Sequence, residues 1–433
     1  MVDLDLVRKN PDLYQTACKN KNIALDVSAF LKVDEERRAK MSELQKMQAE
    51  RNAVSKKVPT IKDKAEREQT IASMKKLSDE LKEAEAAMQP LDAQWMTMQL
   101  LLPSIPLPSV PVGKDDKQNV ETRKVGEIPT FNFTPKDHVT LGKMHSLFDV
   151  ERGVKVAGAR SYFLTGDGAR LQMAVLRFTM DSLVKKGWSV FCPPLMVQAH
   201  YLMGTGFFPG SEEQIYTLGV RKGGAVGEVE GDDLYLIGTS EVSVMGFHAD
   251  ETLDQKDLPK KYCGYSSCFR REAGTYGKDT QGLYRIHQFE KVEQVVLCEA
   301  DEKKALALFE EIRTNAEDVL QALKLPYRIL DVCTGDMGRG KIFMQDIETW
   351  MPSRQSYGET HSCSYLGDFQ TRRLGIKYKD ADGTKKFCHS LNNTCIASPR
   401  ILIPLLEIYQ QQDGSIAIPE VLQPYMQGQT KIG

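Results

Sequence analysis

The sequence lacks the features that mark membrane, secreted and zinc-binding proteins. No apolar run approaches the roughly 18 residues that a membrane-spanning helix needs. The nine cysteines are scattered, without a CxxC pair or a Cys/His cluster at zinc-ligand spacing, so we expect reduced thiols. The N-terminal stretch carries acidic residues and no apolar segment, which argues against a signal peptide. These absences predict a soluble cytoplasmic protein without a membrane partner.

A strong charge of either sign is also lacking. The 433 residues include 57 Lys and Arg against 59 Asp and Glu, which gives a formal net charge of −2. Any nucleic acid would therefore have to be bound by a local basic patch rather than by bulk charge. The length allows two or three domains and a large core.

Two helical runs dominate the first part of the chain. After residues 1–33, the run 34–57 has apolar residues at helical spacing, and residues 58–60 break it. The second run has apolar residues at alternating steps of three and four, which is a heptad pattern. We expect the runs to fold back as an antiparallel hairpin, and Pro90 to kink or split the second helix. The heptad positions are Met74, Leu77, Leu81, Ala84, Met88, Leu91, Trp95, Met98 and Leu102.

Basic residues crowd the turn between these two runs, where Asp63 and Glu66 are the opposing acids. For a heptad run alone, an oligomerisation coiled coil is the simplest interpretation. A basic patch on a protruding rod can instead follow a phosphate backbone. The five basic residues are Lys56, Lys57, Lys62, Lys64 and Arg67.

The rest of the chain reads as a separate domain. Residues 101–116 are dense in proline, which ends the arm and predicts a linker, and we place the domain boundary between residues 110 and 111. Residues 111–433 mix helices with several strands, which favours an α+β fold with a mostly antiparallel sheet flanked by helices. Residues 169–186 predict a helix that runs into an extended segment containing Pro194.

Residues 264–295 predict two strands joined by a Gly-containing loop, 274–282. Residues two apart share a strand face, so Arg270 and Glu272 should point the same way. On the second strand, Arg285, Phe289 and Glu293 should share one face, with His287 and Lys291 between them. Arginine forks bind phosphate, a ring can stack on a purine, and a carboxylate can hold an ammonium. This set suits a triphosphate nucleotide beside an amino acid, and a solvent-facing charged hairpin is the alternative.

Two further segments suggest ligand contacts. A predicted strand, 234–237, leads into Gly238, Thr239 and Glu241. The glycine would let the backbone approach a small ligand whose ammonium the glutamate balances, whereas capping of a helix N-terminus is the alternative. Residues 335–341, GDMGRGK, nearly match a phosphate-binding P-loop. We reject that site because Ile342 replaces the required Ser or Thr and no clear helix follows.

Several of these segments resemble motifs of one enzyme family. FRRE (269–272) with GLYRIHQFEKVEQ (282–294) is similar to motif 2 of the class II aminoacyl-tRNA synthetases, and in detail to that of the seryl-tRNA synthetases. Residues 389–410 resemble motif 3, the helix 169–186 with Pro194 resembles motif 1, and GTSE (238–241) resembles the family's Thr-x-Glu serine-binding loop. The resemblance implies a class II catalytic domain, a homodimer built through motif 1, and an N-terminal hairpin that holds tRNA.

The resemblance also implies a role for each matching residue. Arg270, Glu359 and Arg400 would be the catalytic residues, while Glu359 and Ser362 would bind Mg²⁺. Arg271 receives no catalytic role, His361 is interpreted as structural, and Arg372 and Arg373 are interpreted as a structural or phosphate-side pair. The implied ATP contacts are Arg270, Glu272, Arg285, Ile286, Phe289, Glu359, Ser362 and Arg400. The implied serine contacts are Thr239, Glu241, Arg270, Glu293, Asn392 and Thr394.

The implied activity is the ATP-dependent attachment of L-serine to tRNA(Ser) through a seryl-adenylate, with tRNA(Sec) as a second candidate substrate and no DNA partner. One alternative is a paralogue that delivers an activated amino acid to a carrier protein, although such relatives tend to lack the arm. The other is a non-enzymatic RNA-binding protein on an inactive synthetase fold. Such a protein would be expected to have lost Arg270, Glu293, Glu359 or Arg400, and all four are present.

Overall fold

The chain forms two compact units, which are described separately. A computed structural model describes residues 1–221, 229–273 and 282–433. The units are Met1–Pro103 and Ser104–Gly433, whereas the sequence placed a domain boundary between residues 110 and 111. Of the predicted loop 274–282, all but Gly282 lies outside the described residues. No helix in the described ranges combines the length and the apolarity needed to cross a membrane.

Four helices make up the first unit. The Asp26 carboxylate accepts the N–H groups of Ser28 and Ala29, so the first long helix begins at Val27 rather than at residue 34. The Asp63 carboxylate accepts the N–H of Glu66 and begins the second long helix. The helices are α1 Leu4–Lys9, α2 Pro11–Asn20, α3 Val27–Lys57 and α4 Lys64–Leu101.

The two long helices pack along the predicted seam. Leu81, Met88 and Leu91 of α4 are buried, and the other heptad positions are buried or half-buried. At one end of the pair, Arg37 Nε lies 2.6 Å from Asp92 Oδ1, and its guanidinium lies 4.1 Å from the centre of the Trp95 ring. The predicted helical hairpin is confirmed.

The prediction that Pro90 splits the second helix is wrong. α4 runs without interruption from Lys64 to Leu101. Pro90 lacks an N–H group, so the carbonyl four residues earlier, at Ala86, loses its helical partner. Both residues are exposed, and water can therefore hydrate that carbonyl.

The basic residues of the tip are all exposed. Lys56 and Lys57 end α3, and Lys64 and Arg67 lie in the first turn of α4. Lys62 lies in the connection between the helices. The five positive charges are therefore presented together at the turn, as the sequence predicts.

The second unit is built on an eight-stranded sheet, which confirms the predicted α+β fold. Its strands are β1 Val120–Val125, β4 Ser189–Phe191, β9 Lys260–Phe269, β10 Gln288–Cys298, β11 Tyr327–Asp331, β12 Phe343–Met351, β13 Ser356–Gly367 and β16 His389–Ser398. They are ordered β1-β11-β12-β13-β16-β10-β9-β4, and every neighbouring pair is antiparallel except β9 and β4.

Short strands and helices complete the unit. The other strands are β2 Phe148–Asp149, β3 Phe163–Leu164, β5 Met196–Gln198, β6 Thr217–Arg221, β7 Val229–Leu236, β8 Thr252–Asp254, β14 Lys377–Lys379, β15 Lys385–Phe387, β17 Ile416–Ala417 and β18 Lys431–Ile432. The helices are α5 His138–Met144, α6 Val150–Ala157, α7 Gly166–Lys185, α8 Ala199–Thr205, α9 Glu241–Gly246, α10 Glu302–Ala322, α11 Phe369–Arg373 and α12 Leu402–Tyr409.

Helix α10 covers one face of the large sheet. The side-chain amides of Gln294 on β10 and Asn393 on β16 donate to the carbonyl of Ile312 on that helix, at 2.9 and 2.6 Å. Because side chains alternate along a strand, the neighbours Glu293 and Asn392 point to the opposite face. That opposite face carries the candidate site.

The predicted strands around residues 264–295 are too long. β9 ends at Phe269 and β10 begins at Gln288, so the period-two count does not apply to the residues between them. Glu272 has a φ of +51°, in the left-handed region. Among the described residues, a backbone hydrogen bond of 2.9 Å from Arg270 N–H to the His287 carbonyl continues the pairing.

Candidate active site

Two adjoining cavities of about 260 Å³ each lie on the sheet face opposite α10. We call them the arginine-rich cavity and the acidic cavity. The residues that line both are Arg270, Lys291, Lys341, Ser362 and Thr394. The arginine-rich cavity is also lined by Glu272, Tyr284, Ile286, Phe289, Glu359, His361 and Arg400. The acidic cavity is also lined by Thr239, Glu241, Glu293 and Asn392. The structure thus brings together every predicted ATP and serine contact except Arg285.

Arg270 lies where the two cavities meet. Its Nε donates to the Gly238 carbonyl at 3.2 Å, and its guanidinium lies 5.3 Å from the centre of the Phe289 ring. A cation and an aromatic face are therefore held side by side, each leaving surface for a ligand.

Arg285 is paired instead of lining a cavity. Its guanidinium donates to Glu272 Oε2 at 2.8 Å, and Glu272 does line the arginine-rich cavity. In a strand, Arg285 and Ile286 would point to opposite faces, with Arg285 on the face of the site. Ile286 lines the cavity and Arg285 does not, because this segment precedes β10 and is not a strand. Ile286 is itself buried.

Arg400 lines the arginine-rich cavity but not the acidic cavity. Its Nε donates to the Tyr284 carbonyl at 3.1 Å, and its NH1 donates to the Glu359 carbonyl at 2.9 Å. The Glu359 carboxylate is 3.7 Å away, a weak and partly exposed ion pair. Arg400 precedes the first residue of α12, Leu402, by two positions, so it stands beside the helix N-terminus rather than within the helix.

Glu241 is a buried carboxylate in the acidic cavity. Its Oε1 accepts hydrogen bonds from Gln370 Nε2 and Asn392 Nδ2, both at 2.6 Å. Burial raises the pKa of Glu241, and the nearby charge of Glu293 raises it further. The Thr239 Oγ1 accepts the N–H of Glu241, the first residue of α9, at 3.3 Å, whereas the N-cap residue Ser240 makes no side-chain capping bond.

Lys291 is a buried cation that lines the acidic cavity. Its ammonium lies 2.6 Å from Glu293 Oε2, and the two side chains are only 4% and 3% exposed. The same ammonium donates to Thr239 Oγ1 at 2.7 Å and to Thr394 Oγ1 at 3.4 Å. Thr394 Oγ1 in turn donates to Glu293 Oε2 at 3.1 Å. These four side chains form one connected polar cluster.

The predicted metal ligands lie together on strand β13. Glu359 and Ser362 both line the arginine-rich cavity, and the Glu359 side chain is 51% exposed. Behind them, Asp346 is buried, and its Oδ1 has no hydrogen-bond partner among the residues that the structure describes. Burial raises the pKa of Asp346, as does the charge of Glu359.

His361, Arg372 and Arg373, which lie outside the predicted catalytic set, are held by polar contacts within the protein. His361 is buried beside Thr360 Oγ1, at 2.8 Å, and burial lowers its pKa to about 3, so the ring is neutral. Arg372 pairs with Asp368 at 2.7 Å, and Arg373 donates to the Met203 carbonyl at 2.9 Å. The P-loop is also ruled out, because a strand, β12, follows residue 341 where a helix is required.

Sequence reasoning gave no role to three residues of the site. Lys291 falls on the same predicted strand face as Phe289 and Glu293, so that alternation could have found it. Lys341 lines both cavities from the rejected P-loop segment, and Gln370 holds Glu241 from helix α11. No local pattern points to either of these two residues.

Comparisons with protein families match both units. Residues 1–106 match the seryl-tRNA synthetase N-terminal domain. Residues 225–409 match the tRNA synthetase class II core domain (G, H, P, S and T).

Full-length relatives extend these matches. The chain is 47% identical to the serine–tRNA ligase of Deinococcus radiodurans, over 100% of this chain and 99% of the relative. It is 40% identical to that of Dictyoglomus turgidum, over 98% of each. A crystal structure of seryl-tRNA synthetase from Pyrococcus horikoshii, complexed with ATP, superposes with a TM-score of 0.87 at 36% identity, covering 100% of this chain and 99% of the other. A second structure, of cytoplasmic serine–tRNA ligase from Naegleria fowleri with AMP, gives 0.83 at 31% identity, covering 100% and 98%.

Proposed function

This chain belongs to the seryl-tRNA synthetase family of the class II aminoacyl-tRNA synthetases, and we propose on that basis that it attaches L-serine to tRNA(Ser) using ATP. The observation that carries the proposal is the joining of the two cavities. A cavity with two guanidiniums and an aromatic face suits a nucleotide, and a cavity with two carboxylates suits an amino acid ammonium. Five lining residues are common to both cavities, so the two ligands would lie next to each other.

The first step joins serine to AMP. An oxygen of the serine carboxylate attacks the α-phosphorus, the bond from that phosphorus to the bridging oxygen breaks, and pyrophosphate leaves with the electron pair. Arg270, at the junction, would contact both the carboxylate and the α-phosphate, and Arg400 would hold the outer phosphates. Their contribution is orientation and neutralisation of developing charge. In the second step a ribose hydroxyl of the tRNA attacks the carbonyl carbon, and AMP leaves.

The nucleotide base would lie between the Phe289 ring and the backbone at Ile286. Phe289 would stack on the adenine, and the backbone at Ile286 would contact its edge. Glu272 would accept from the nucleoside, which requires its present ion pair with Arg285 to open. Arg285 would then be released to the outer phosphates.

Glu359 and Ser362 would hold Mg²⁺. A carboxylate and a hydroxyl oxygen side by side suit this ion, which usually takes few protein ligands and completes its shell with phosphates and waters. Asp346 Oδ1, buried on the neighbouring strand β12, is a further oxygen without a hydrogen-bond partner among the described residues. The described residues contain no group of three or more His, Cys, Asp or Glu side chains that could hold a metal ion. The bound ion would neutralise phosphate charge.

Selection of serine would depend on the polar cluster of the acidic cavity. Glu293, Thr239 and Thr394 offer acceptors for an ammonium and a hydroxyl, while Asn392 holds Glu241 in place. A buried site built for a hydroxyl rejects alanine strongly, because its own polar groups would be left without partners. Threonine would have to be rejected sterically.

The helical arm would bind the tRNA. Five exposed basic residues at its tip can contact phosphates, and RNA helices are recognised mainly through shape and backbone. We propose tRNA(Ser) as the substrate, with tRNA(Sec) as a second one to be tested with transcripts of both. A cytoplasmic location remains a prediction from the sequence.

A homodimer is also proposed. Beside the edge strand β4, an apolar cavity of about 650 Å³ is lined by Val190, Met196 and Phe247, which are 44%, 55% and 59% exposed. Exposed apolar surface of this kind marks a protein interface. Sedimentation equilibrium should give a dimer for the wild type and a monomer for Phe247→Glu. Val112→Glu, at a position 71% exposed, is the control that should stay dimeric.

The decisive test is amino-acid-dependent ATP–pyrophosphate exchange. Exchange should appear with serine and be far weaker with alanine, threonine and glycine. Transfer to tRNA should then follow in the same preparation. Serine activation without tRNA charging would favour the carrier-protein alternative, and RNA binding without exchange would favour the inactive-synthetase alternative.

A further inference from the structure

The ammonium of Lys291 occupies the place where an amino acid ammonium would bind. An ammonium has three N–H donors, and in Lys291 they face three side-chain oxygens, of Glu293, Thr239 and Thr394. The same three side chains are the ones proposed to receive serine. A ligand ammonium has the same charge and donor chemistry as the lysine ammonium, so the two compete for one set of acceptors.

The competition is strong because the cluster is buried. The Lys291 and Glu293 side chains are 4% and 3% exposed, so water does not solvate either charge in place of its ion-pair partner. A second carboxylate, Glu241, lies in the same cavity but is already held by Gln370 and Asn392. When serine places its ammonium on Glu293, the Lys291 ammonium must therefore find another position.

The structure offers one direction for that movement. Lys291 lines both cavities, and on the side away from Glu293 it borders the arginine-rich cavity. There, the serine carboxylate and the α-phosphate would bring negative charge together. Movement of a lysine ammonium toward them would stabilise that charge at the reacting atoms.

We propose that Lys291 is a displaceable counter-ion: the ammonium of the incoming amino acid replaces it on Glu293 and drives it toward the nucleotide. This inference rests on the proposed function and adds a link between the two substrates. Serine binding would deliver a positive charge to the nucleotide cavity, so the two ligands should bind cooperatively. Couplings between two ligand sites are typically about 5- to 150-fold in affinity.

The test measures binding of an ATP analogue whose α–β bridging oxygen is replaced by methylene, so that no adenylate forms. Two serine fragments separate the ammonium from the carboxylate. Ethanolamine keeps the ammonium and the hydroxyl, whereas L-glycerate keeps the carboxylate and the hydroxyl. In the wild type, ethanolamine should lower the Kd of the ATP analogue roughly 5-fold or more, whereas L-glycerate should not lower it. Equal tightening by both fragments would overturn the proposal.

The variant Lys291→Met preserves length and removes the charge. In this variant, the affinity for the ATP analogue should change less than twofold when ethanolamine is added. Without the analogue, the variant should bind ethanolamine at least as well as the wild type does. A residue that only builds the pocket would instead weaken ethanolamine binding, and that result would also overturn the proposal. If the variant fails to fold, the two fragments on the wild type decide the question.

Lys341→Met is the matched control. Lys341 is the other lysine that lines both cavities, and its Nζ has a hydrogen bond to Met344 Sδ, at 3.2 Å. It should weaken binding of the analogue but leave the ethanolamine effect in place. Serine-dependent pyrophosphate exchange by the wild type tests the proposed function separately. If the wild type shows exchange but ethanolamine still tightens binding of the ATP analogue to Lys291→Met, only the role of Lys291 is refuted.

Discussion

Replacing Arg270 with alanine should abolish activation while leaving the protein folded. In the absence of ligands the side chain makes one charged hydrogen bond, to the Gly238 carbonyl, and one contact with the Phe289 ring. An exposed cation–π contact contributes about 0.5–1 kcal/mol and a hydrogen bond from a charged group about 1.5–3 kcal/mol, with the lower values at exposed sites. Because Arg270 is exposed, the loss should stay near 2 kcal/mol, small against a typical unfolding free energy of about 5–15 kcal/mol.

The effect on the reaction should be larger. Loss of one preorganised group that stabilises transition-state charge costs about 10²–10³ in rate. Serine-dependent ATP–pyrophosphate exchange should therefore fall at least 100-fold in Arg270→Ala, with circular dichroism and the thermal midpoint reporting the fold. Arg271→Ala is the matched control, since the adjacent side chain lines neither cavity, and its exchange should stay near the wild-type rate. Exchange within a few-fold of wild type in folded Arg270→Ala would remove this residue from the mechanism.

Four further predictions follow from the same geometry. Glu293→Ala should raise the serine KM or lower kcat far more than it changes ATP binding, and equal effects on both ligands would contradict its role. Glu359→Gln should raise the Mg²⁺ concentration needed for exchange, and an unchanged Mg²⁺ titration would argue against the proposed site. Neutralising the five basic residues of the arm tip should remove tRNA charging and leave serine activation intact; normal charging would refute the arm assignment. Burial lowers the pKa of His389, which contacts the Tyr365 hydroxyl at 2.9 Å, so stability should fall as the pH drops below about 6.5 toward the lower folded-state pKa. Thermal unfolding across that range should show a shallower slope in His389→Gln, and an identical slope would exclude this histidine as the cause.

The parts of the fold that depend on local periodicity could be predicted from the sequence. The heptad positions of α4 are spaced so that one face must be buried, and Leu81, Met88 and Leu91 are buried. The predicted split of α4 at Pro90 was wrong. The cost of a proline within a helix depends on whether the carbonyl that loses its hydrogen bond reaches water, and sequence spacing does not reveal that exposure.

The candidate site could be predicted where regular strands position its residues. Phe289 and Glu293 on β10, and Asn392 and Thr394 on β16, follow the two-residue period. The period fails at Ile286, which precedes β10 and reaches the cavity through an irregular backbone.

Contacts made across the fold could not be predicted from any local pattern. Gln370 is 129 residues from Glu241 in sequence, yet it fixes the orientation of that carboxylate. The ammonium of Lys291 has an assigned set of partners only because β10, β16 and the Thr239 segment meet. Such contacts follow from tertiary packing, which a single sequence does not encode at any fixed spacing.

The shared wall of the two cavities limits how this enzyme could acquire a different amino acid substrate. A substitution at Thr394 or Lys291 that reshapes the acidic cavity also alters the surface presented to the nucleotide. Asn392 lines the acidic cavity but not the arginine-rich one, so changes there could alter side-chain recognition without disturbing ATP. Laboratory evolution toward a new amino acid should therefore accumulate its first mutations at this position, and variants at the shared positions should carry a compensating change on the nucleotide side.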